Sequence, residues 1–265
     1  MPSALEALLT QDRRVVTAAL AAVTLSAWAY TVAVQGTRMG PAGGMAGEGG
    51  MSPLMVMDTP WSLSHAAAML MMWWVMMAAM MLPSAGPLIL LFAAVQRKQQ
   101  AANHPFVPTG VLVAGYLAVW AGFSVVATGL QWGLDRSAYL TMSMSVTSRV
   151  LSTTLLIAAG LYQFTPVKGA CLRHCRSPLA FVTTHWRPGA GGAFRMGLIH
   201  GMFCLGCCGV LMSLLFVGGV MNLLWIGGLA LYVLVEKIVP RGHWVRYVAG
   251  GLLIASGVRM AAGAL

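Results

Sequence analysis

WSLSHAAAMLMMWWVMMAAMML, residues 61–82, contains no charged side chain. About twenty consecutive apolar residues cross the hydrocarbon core of a bilayer as one helix, so this stretch predicts a transmembrane helix. Similar apolar runs recur along the 265 residues, of which 58% are hydrophobic and 8% charged, with a mean hydropathy of +0.78. A soluble domain carries about a quarter charged residues. The sequence therefore predicts an all-α, polytopic bundle of transmembrane helices.

The predicted bundle has six or seven spans. The apolar runs lie at 15–34, 61–82, 107–132, 150–165, 194–216, 222–238 and 245–263. Pro83 and Pro87 follow the second run, and because proline removes a helical hydrogen bond we predict a kink at Pro83. A Gly- and Met-rich segment follows the first run. We therefore divide the chain into an N-terminal span with its outer loop, 1–60, and a helical membrane domain, 61–265.

The net charge of +10 reflects membrane topology and not nucleic-acid binding. Twelve of the sixteen Lys and Arg residues fall on one side of the predicted bundle: Arg13, Arg14, Arg97, Lys98, Lys168, Arg173, Arg176, Arg187, Arg195, Lys237, Arg241 and Arg246. Cytoplasmic loops carry this excess of positive charge, so we predict a cytoplasmic N-terminus and no nucleic-acid partner. Glu236 and Lys237, at the inner end of the sixth span, are expected to form a charge pair.

HGMFCLGCCG, residues 200–209, places an imidazole and three thiols inside an apolar span. His200, Cys204 and Cys208 are spaced by four, and Cys207 lies three beyond Cys204, so a helix presents them on one stripe. Ionisable residues in a span usually face the bundle interior and have a function. Thiolates beside an imidazole suit Cu(I) or Zn(II). The alternative is that these thiols pack as small apolar residues.

The span at 61–82 carries a second candidate set of ligands. One helical stripe contains His65, Met69, Met72, Met76 and Met80. Thioethers select Cu(I) over harder ions, which predicts a stripe that handles metal. Packing of methionine in an irregular core is the alternative.

Two further groups lie outside these spans. In KGACLRHCRSP, residues 168–178, Cys171, His174 and Cys175 fall within one helical turn, which predicts a cytoplasmic handover site or a reactive dithiol. Methionines that could capture Cu(I) outside lie in the loop between the first two spans: Met39, Met45, Met51, Met55 and Met57.

Three stretches together resemble a bacterial family of predicted metal-binding integral membrane proteins that share a domain of unknown function. They are WWVMMAAMMLPS (73–84), KGACLRHCRSP (168–178) and GLIHGMFCLGCCGVLMSLLFVGGVMNLLW (197–225), with the motifs MMxAMMLPS and HGxxCxGCC. The resemblance extends over about 61–260. It implies a multi-pass helical protein of the bacterial inner membrane that binds metal through these Cys, His and Met positions. Gly209 departs from the aromatic residue expected after the paired cysteines.

The leading hypothesis is an integral membrane protein that binds and relays or transports a soft metal ion, Cu(I) before zinc. Its expected partners are the lipid bilayer and a metallochaperone or metalloenzyme, and a homo-oligomer is compatible with the sequence. A membrane thiol–disulfide oxidoreductase that uses Cys204, Cys207 and Cys208 with Cys171 and Cys175 is the alternative. It predicts a reversible disulfide and does not require the methionines.

Two other hypotheses explain fewer of these residues. A haem protein would need His65 and His200 at one depth, whereas the predicted topology puts them near opposite ends of the bundle. A scaffold subunit would use its thiols for packing alone. The sequence contains no Walker loop, Ser-His-Asp set or paired carboxylates. The question of enzymatic activity stays open, and the residues favour a non-enzymatic role.

Overall fold

The computed structural model describes residues 4–36, 61–101, 107–140, 144–239 and 242–263. Within these ranges the chain is helical and forms no β-strand beyond an isolated bridge between Leu140 and Val146. The all-α prediction is confirmed. The helices are α1 (Ala4–Gly36), α2 (Leu63–Ala101), α3 (Thr109–Arg136), α4 (Arg149–Phe164), α5 (Pro166–Arg176), α6 (Pro178–His185), α7 (Gly189–Met212), α8 (Leu215–Gly218), α9 (Leu223–Ile238) and α10 (Gly242–Ala261).

Four described segments are long and apolar enough to cross a bilayer. They are Val15–Ala33, Leu63–Gln100, Thr109–Arg136 and Gly189–Gly218. A fifth results if α4 and α5, which meet at a bend of 66°, count as one broken span. The predicted sixth and seventh spans lie on α9 and α10, which do not meet the same criterion of length and hydropathy. The number of six or seven spans therefore stays a prediction.

The surface of α3 shows why such helices are compatible with a membrane. Val125, Val126 and Leu130 are more than half exposed, although all three are large apolar residues. A contiguous apolar face of this kind is costly in water and costs nothing in lipid. The methionines predicted to capture metal in the outer loop lie outside the described residues.

The second span is one helix of 39 residues that continues through Pro83 and Pro87. Proline has no N–H, so Pro83 leaves the carbonyl of Ala79 without its helical donor. The indole Nε1 of Trp28, on α1, donates to that carbonyl at 3.2 Å. A freed carbonyl at membrane depth must find such a partner inside the protein. Packing of α1 on α2 thus lets the helix pass the predicted kink position without a break.

The closest helix contact joins α3 and α7. A Cβ atom on Gly115 would overlap the carbonyl oxygen of Phe194, and one on Gly197 would overlap the carbonyl oxygen of Leu112. Small residues allow helix backbones to approach this closely in membranes. The contact holds the buried face of α7, which carries three cysteines, against α3.

We predict that Gly115→Ala and Gly197→Ala each destabilise the protein, because the added methyl group would collide with backbone that cannot move aside. Overpacking of this kind costs about 1–3 kcal/mol. The matched control is Gly122→Ala on α3, where no atom lies within 4 Å of the new Cβ. Helix propensity should leave this variant unchanged or stabilised by up to about 1 kcal/mol. Thermal unfolding in detergent measures all three, and equal stability of the three variants would contradict the predicted contact.

Candidate metal centre

Three cysteines of α7 form a buried thiol group. Cys204, Cys207 and Cys208 are each 0% exposed, and their sulfur atoms all lie within 4.8 Å of one another. Because the positions are three and four apart or adjacent, one helix face can collect them. The Sγ of Cys208 is 3.8 Å from the Sγ atoms of both Cys204 and Cys207. These separations exceed the 2.05 Å of a disulfide, and all three thiols are free.

Two other helices bring sulfur atoms to this group. The Sδ of Met81, on α2, is 3.8 Å from the Sγ of Cys208. The Sγ of Cys175, on α5, is 3.8 Å from the Sγ of Cys207. We call Met81, Cys175, Cys204, Cys207 and Cys208 the five-sulfur cluster. Its donors come from three helices, so only the folded bundle assembles it.

A buried ammonium group faces the cluster. The Nζ of Lys237, on α9, is 3.0 Å from the Sγ of Cys204 and donates to the hydroxyl of Ser84 at 2.9 Å. Lys237 is 6% exposed. A buried cation without an anionic partner costs several kcal/mol. The surroundings of Cys204 therefore favour a negatively charged centre, such as a metal–thiolate complex.

Tyr116 on α3 connects the backbone of α2 to the cluster. Its hydroxyl donates to the carbonyl of Met81 at 3.1 Å and lies 3.1 Å from the Sγ of Cys204. The hydroxyl of Ser84 donates to the same carbonyl at 2.8 Å. These bonds orient the helical turn that presents the Met81 sulfur. Such second-layer hydrogen bonds fix the geometry of metal ligands.

The expected charge pair between Glu236 and Lys237 does not form. The Nζ of Lys168 instead lies 2.9 Å from the carboxylate of Glu236, with both side chains buried. The hydroxyl of Tyr232 also donates to this carboxylate, at 3.2 Å. Neighbours in a helix point in directions about 100° apart. Glu236 therefore meets α5, and Lys237 turns towards α7.

His200 lies one helical turn before Cys204 but outside the group of three thiols. It is 2% exposed, and its Nδ1 atom has no hydrogen-bond partner. Its ring centroid is 5.2 Å from that of Phe181 and 5.8 Å from that of Tyr116. The structure thus places His200 beside the centre, between aromatic rings, with one ring nitrogen uncommitted.

The predicted methionine stripe of α2 lies inside the protein core. Met72, Met76 and Met80 are buried. The Sδ of Met69 accepts a hydrogen bond of 3.3 Å from Gln131, which also donates to Met144. His65 is buried at the same end of α2, with its ring 4.8 Å from that of Trp61.

Met81, beside the predicted stripe, is the methionine of α2 that contacts a cysteine sulfur. The methionines of the stripe are not part of the five-sulfur cluster. The stripe stays a predicted route for a metal ion.

The predicted group of Cys171, His174 and Cys175 is divided by the structure. Cys175 belongs to the five-sulfur cluster. Cys171 is half-buried and packs against Gly206 of α7, where an added Cβ would come within 2.7 Å of its sulfur. The exposed ring of His174 stacks on Phe203 at 4.1 Å, and its Nδ1 lies 3.0 Å from the carbonyl of Ala170. Only the most buried of the three therefore reaches the other thiols.

Four residues of the site were not predicted from the sequence: Met81, which belongs to the cluster, and Ser84, Tyr116 and Lys237, which surround it. Two of them could have been recognised from the sequence as candidate site residues. Ser84 closes the MMxAMMLPS motif, and Lys237 is an ionisable residue within a predicted span, which is a mark of function. Tyr116 could not have been recognised, because a tyrosine in an apolar helix is common at helix contacts.

The fold and the site define an all-α protein with apolar helices and a buried cysteine cluster suited to a soft metal ion. The sequence pattern of the PpoB2 family matches residues 70–260, and that family is described as one of copper chaperones. The chain belongs to this family. Comparisons with curated proteins and with solved structures find no match. The expected membership of a metal-binding family is thus supported in its coarse form, as membership of a copper-related family.

We predict that Lys237→Met weakens Cu(I) binding by about 10- to 100-fold, the loss typical of removing a partner just outside the ligands. The reason is that the buried anionic complex would lose the ammonium that balances its charge. Competition against a Cu(I) chelator under anaerobic conditions measures the effect. Lys98→Met, at an exposed position in the last turn of α2, is the control that also removes one positive charge. Equal affinity of the two variants would show that Lys237 plays no part in binding.

Proposed function

We propose that this protein is an integral membrane protein that binds Cu(I) at Cys204, Cys207 and Cys208 and passes it to an acceptor protein. The observation that carries the proposal is the cluster of three buried thiols within 4.8 Å, in a chain of a copper chaperone family. Copper is therefore the cargo of this protein. The acceptor would be a metallochaperone or a metalloenzyme.

The donor atoms and the local charge favour Cu(I). Thiolates bind both Cu(I) and Zn(II), whereas a thioether such as that of Met81 favours Cu(I). A monovalent ion held by two thiolates carries one net negative charge, which the ammonium of Lys237 would balance. Zn(II) held by three thiolates carries the same net charge, so zinc is the ion against which selectivity is measured. His200, one turn away with a free Nδ1, is a candidate additional ligand.

The methionine stripe supports a relay role. From His65 to Met81 the helix α2 extends about 24 Å, at 1.5 Å per residue. Met69, Met72, Met76 and Met80 lie buried along this length. Neutral thioethers can hold a monovalent ion without adding charge to the interior. Cu(I) would move along α2 between His65 and the cluster, and Cys171 and His174 would lie at the cytoplasmic end.

The proposed location is the bacterial inner membrane, with the N-terminus in the cytoplasm. Four apolar helices are compatible with a membrane protein, and the distribution of Lys and Arg supports the orientation.

The first experiment is a Cu(I) titration of the purified protein in detergent, without oxygen, against a competing chelator. We expect tight binding by the parent and its loss when Cys204, Cys207 and Cys208 are all replaced by Ser. Cys171→Ser, which removes a thiol outside the cluster, should retain tight binding. A parallel Zn(II) titration measures selectivity.

Two results would contradict the copper-binding proposal. Equal Cu(I) binding by the parent and the triple variant would place the ion elsewhere. Absence of binding, together with a reversible disulfide detected as an alkylation mass shift, would favour the thiol–disulfide oxidoreductase.

A separate experiment tests the membrane proposal. We expect a fluorescent protein fused before residue 1 to fluoresce in bacterial cells, because such a domain matures in the cytoplasm. The fusion should stay in the membrane fraction after a carbonate wash, because its apolar helices are embedded in lipid. Alkaline phosphatase, which is active only outside the cytoplasm, is the control fusion at the same position and should be inactive. An active phosphatase fusion without fluorescence would reverse the orientation, and release by carbonate would contradict the membrane proposal.

A further inference from the structure

Cys175 gives the cluster a thiol from outside α7. It lies on α5, is buried, and has its Sγ 3.8 Å from the Sγ of Cys207. The other cysteine of α5, Cys171, lies one turn earlier and is half-buried against Gly206. Among the described residues, Cys175 therefore continues the line of sulfur atoms from α7 towards the protein surface.

The sulfur atoms form a connected set of contacts, in which Cys175 also lies beside Cys204. Cys208 is 3.8 Å from the sulfur atoms of Met81, Cys204 and Cys207, and Cys207 is 3.8 Å from that of Cys175. Metal–sulfur bonds of about 2.3 Å in a tetrahedral arrangement place neighbouring sulfur ligands about 3.8 Å apart. Each contact thus has the length of one edge of a coordination polyhedron. Five sulfur atoms joined in this way exceed the two to four that one soft ion binds.

We propose that the cluster forms two adjacent Cu(I) positions that share Cys204. The first position consists of Met81, Cys204 and Cys208, next to the ammonium of Lys237. The second consists of Cys175, Cys204 and Cys207. This inference rests on the proposed copper-binding function and adds to it the number of ions and the role of Cys175.

The arrangement also provides a transfer step. An ion in the first position moves to the second when its bonds to Met81 and Cys208 break and bonds to Cys175 and Cys207 form, while Cys204 stays bound. The Cys207 thiol gives its proton to Cys208, 3.8 Å away, the Cys175 thiol binds with its proton in place, and the copper stays Cu(I) throughout. The ion never becomes free, and it ends on the helix that carries Cys171, the half-buried thiol.

The test measures how many ions each chain binds. Full-length protein in detergent is titrated anaerobically with Cu(I), using chelators of graded strength. We expect two ions per chain for the parent, one for Cys175→Ser and two for Cys171→Ser, the matched control on the same helix. X-ray absorption should show copper–copper scattering in the parent and in Cys171→Ser, and none in Cys175→Ser. Cys175→Ala and the circular dichroism of each variant control for folding.

The outcomes separate the two proposals. One ion per chain in the parent, bound equally well by folded Cys175→Ser, overturns the second position and leaves the copper-binding function intact. Loss of both ions together in folded Cys175→Ser and Cys175→Ala overturns the two positions in favour of one joint site. A parent that binds no Cu(I), or a triple cysteine variant that binds as the parent does, overturns the proposed function itself.

Discussion

The contact between the ammonium of Lys237 and the sulfur of Cys204 is the constraint on which the rest of the site depends. A lysine buried among apolar helices is tolerated only beside groups that accept its hydrogen bonds and compensate its charge. Ser84 accepts one such bond, and Cys204 supplies the second partner. This requirement brings α2, α7 and α9 to one point. It also gives the thiol group a local charge that matches an anionic copper complex.

The course of α2 follows from a similar constraint. The helix contains two prolines, yet it continues because Trp28 satisfies the carbonyl that Pro83 frees. Two parts of this helix then serve different purposes. The buried methionines from Met69 to Met80 line its inner side, whereas Met81 and Ser84 reach the cluster and its ammonium. A helix broken at Pro83 would not hold these two residues against Cys208 and Lys237.

Much of the site could be predicted because it is local. Cys204, Cys207 and Cys208 share a helix face whatever α7 packs against, since their spacing alone decides it. Cys171, His174 and Cys175 share a turn for the same reason, but the tertiary contacts separate them. All three meet α7, but Cys175 contacts its buried thiols, whereas His174 stacks on Phe203 at the surface. Sequence spacing shows which residues share a helical turn, and it does not show which part of the neighbouring helix each one meets.

The amino-acid sequence by itself determined the helical class, the apolar character of the long helices, and the thiol group within α7. These features depend on composition and on the helical period, which act over a few residues. Only the tertiary structure decided that Met81 and Cys175 join the cluster, that Lys237 faces Cys204, and that Glu236 pairs with Lys168. These contacts join residues 32 to 127 positions apart. The angle at which two helices meet depends on packing of the whole bundle, so no local pattern contains it.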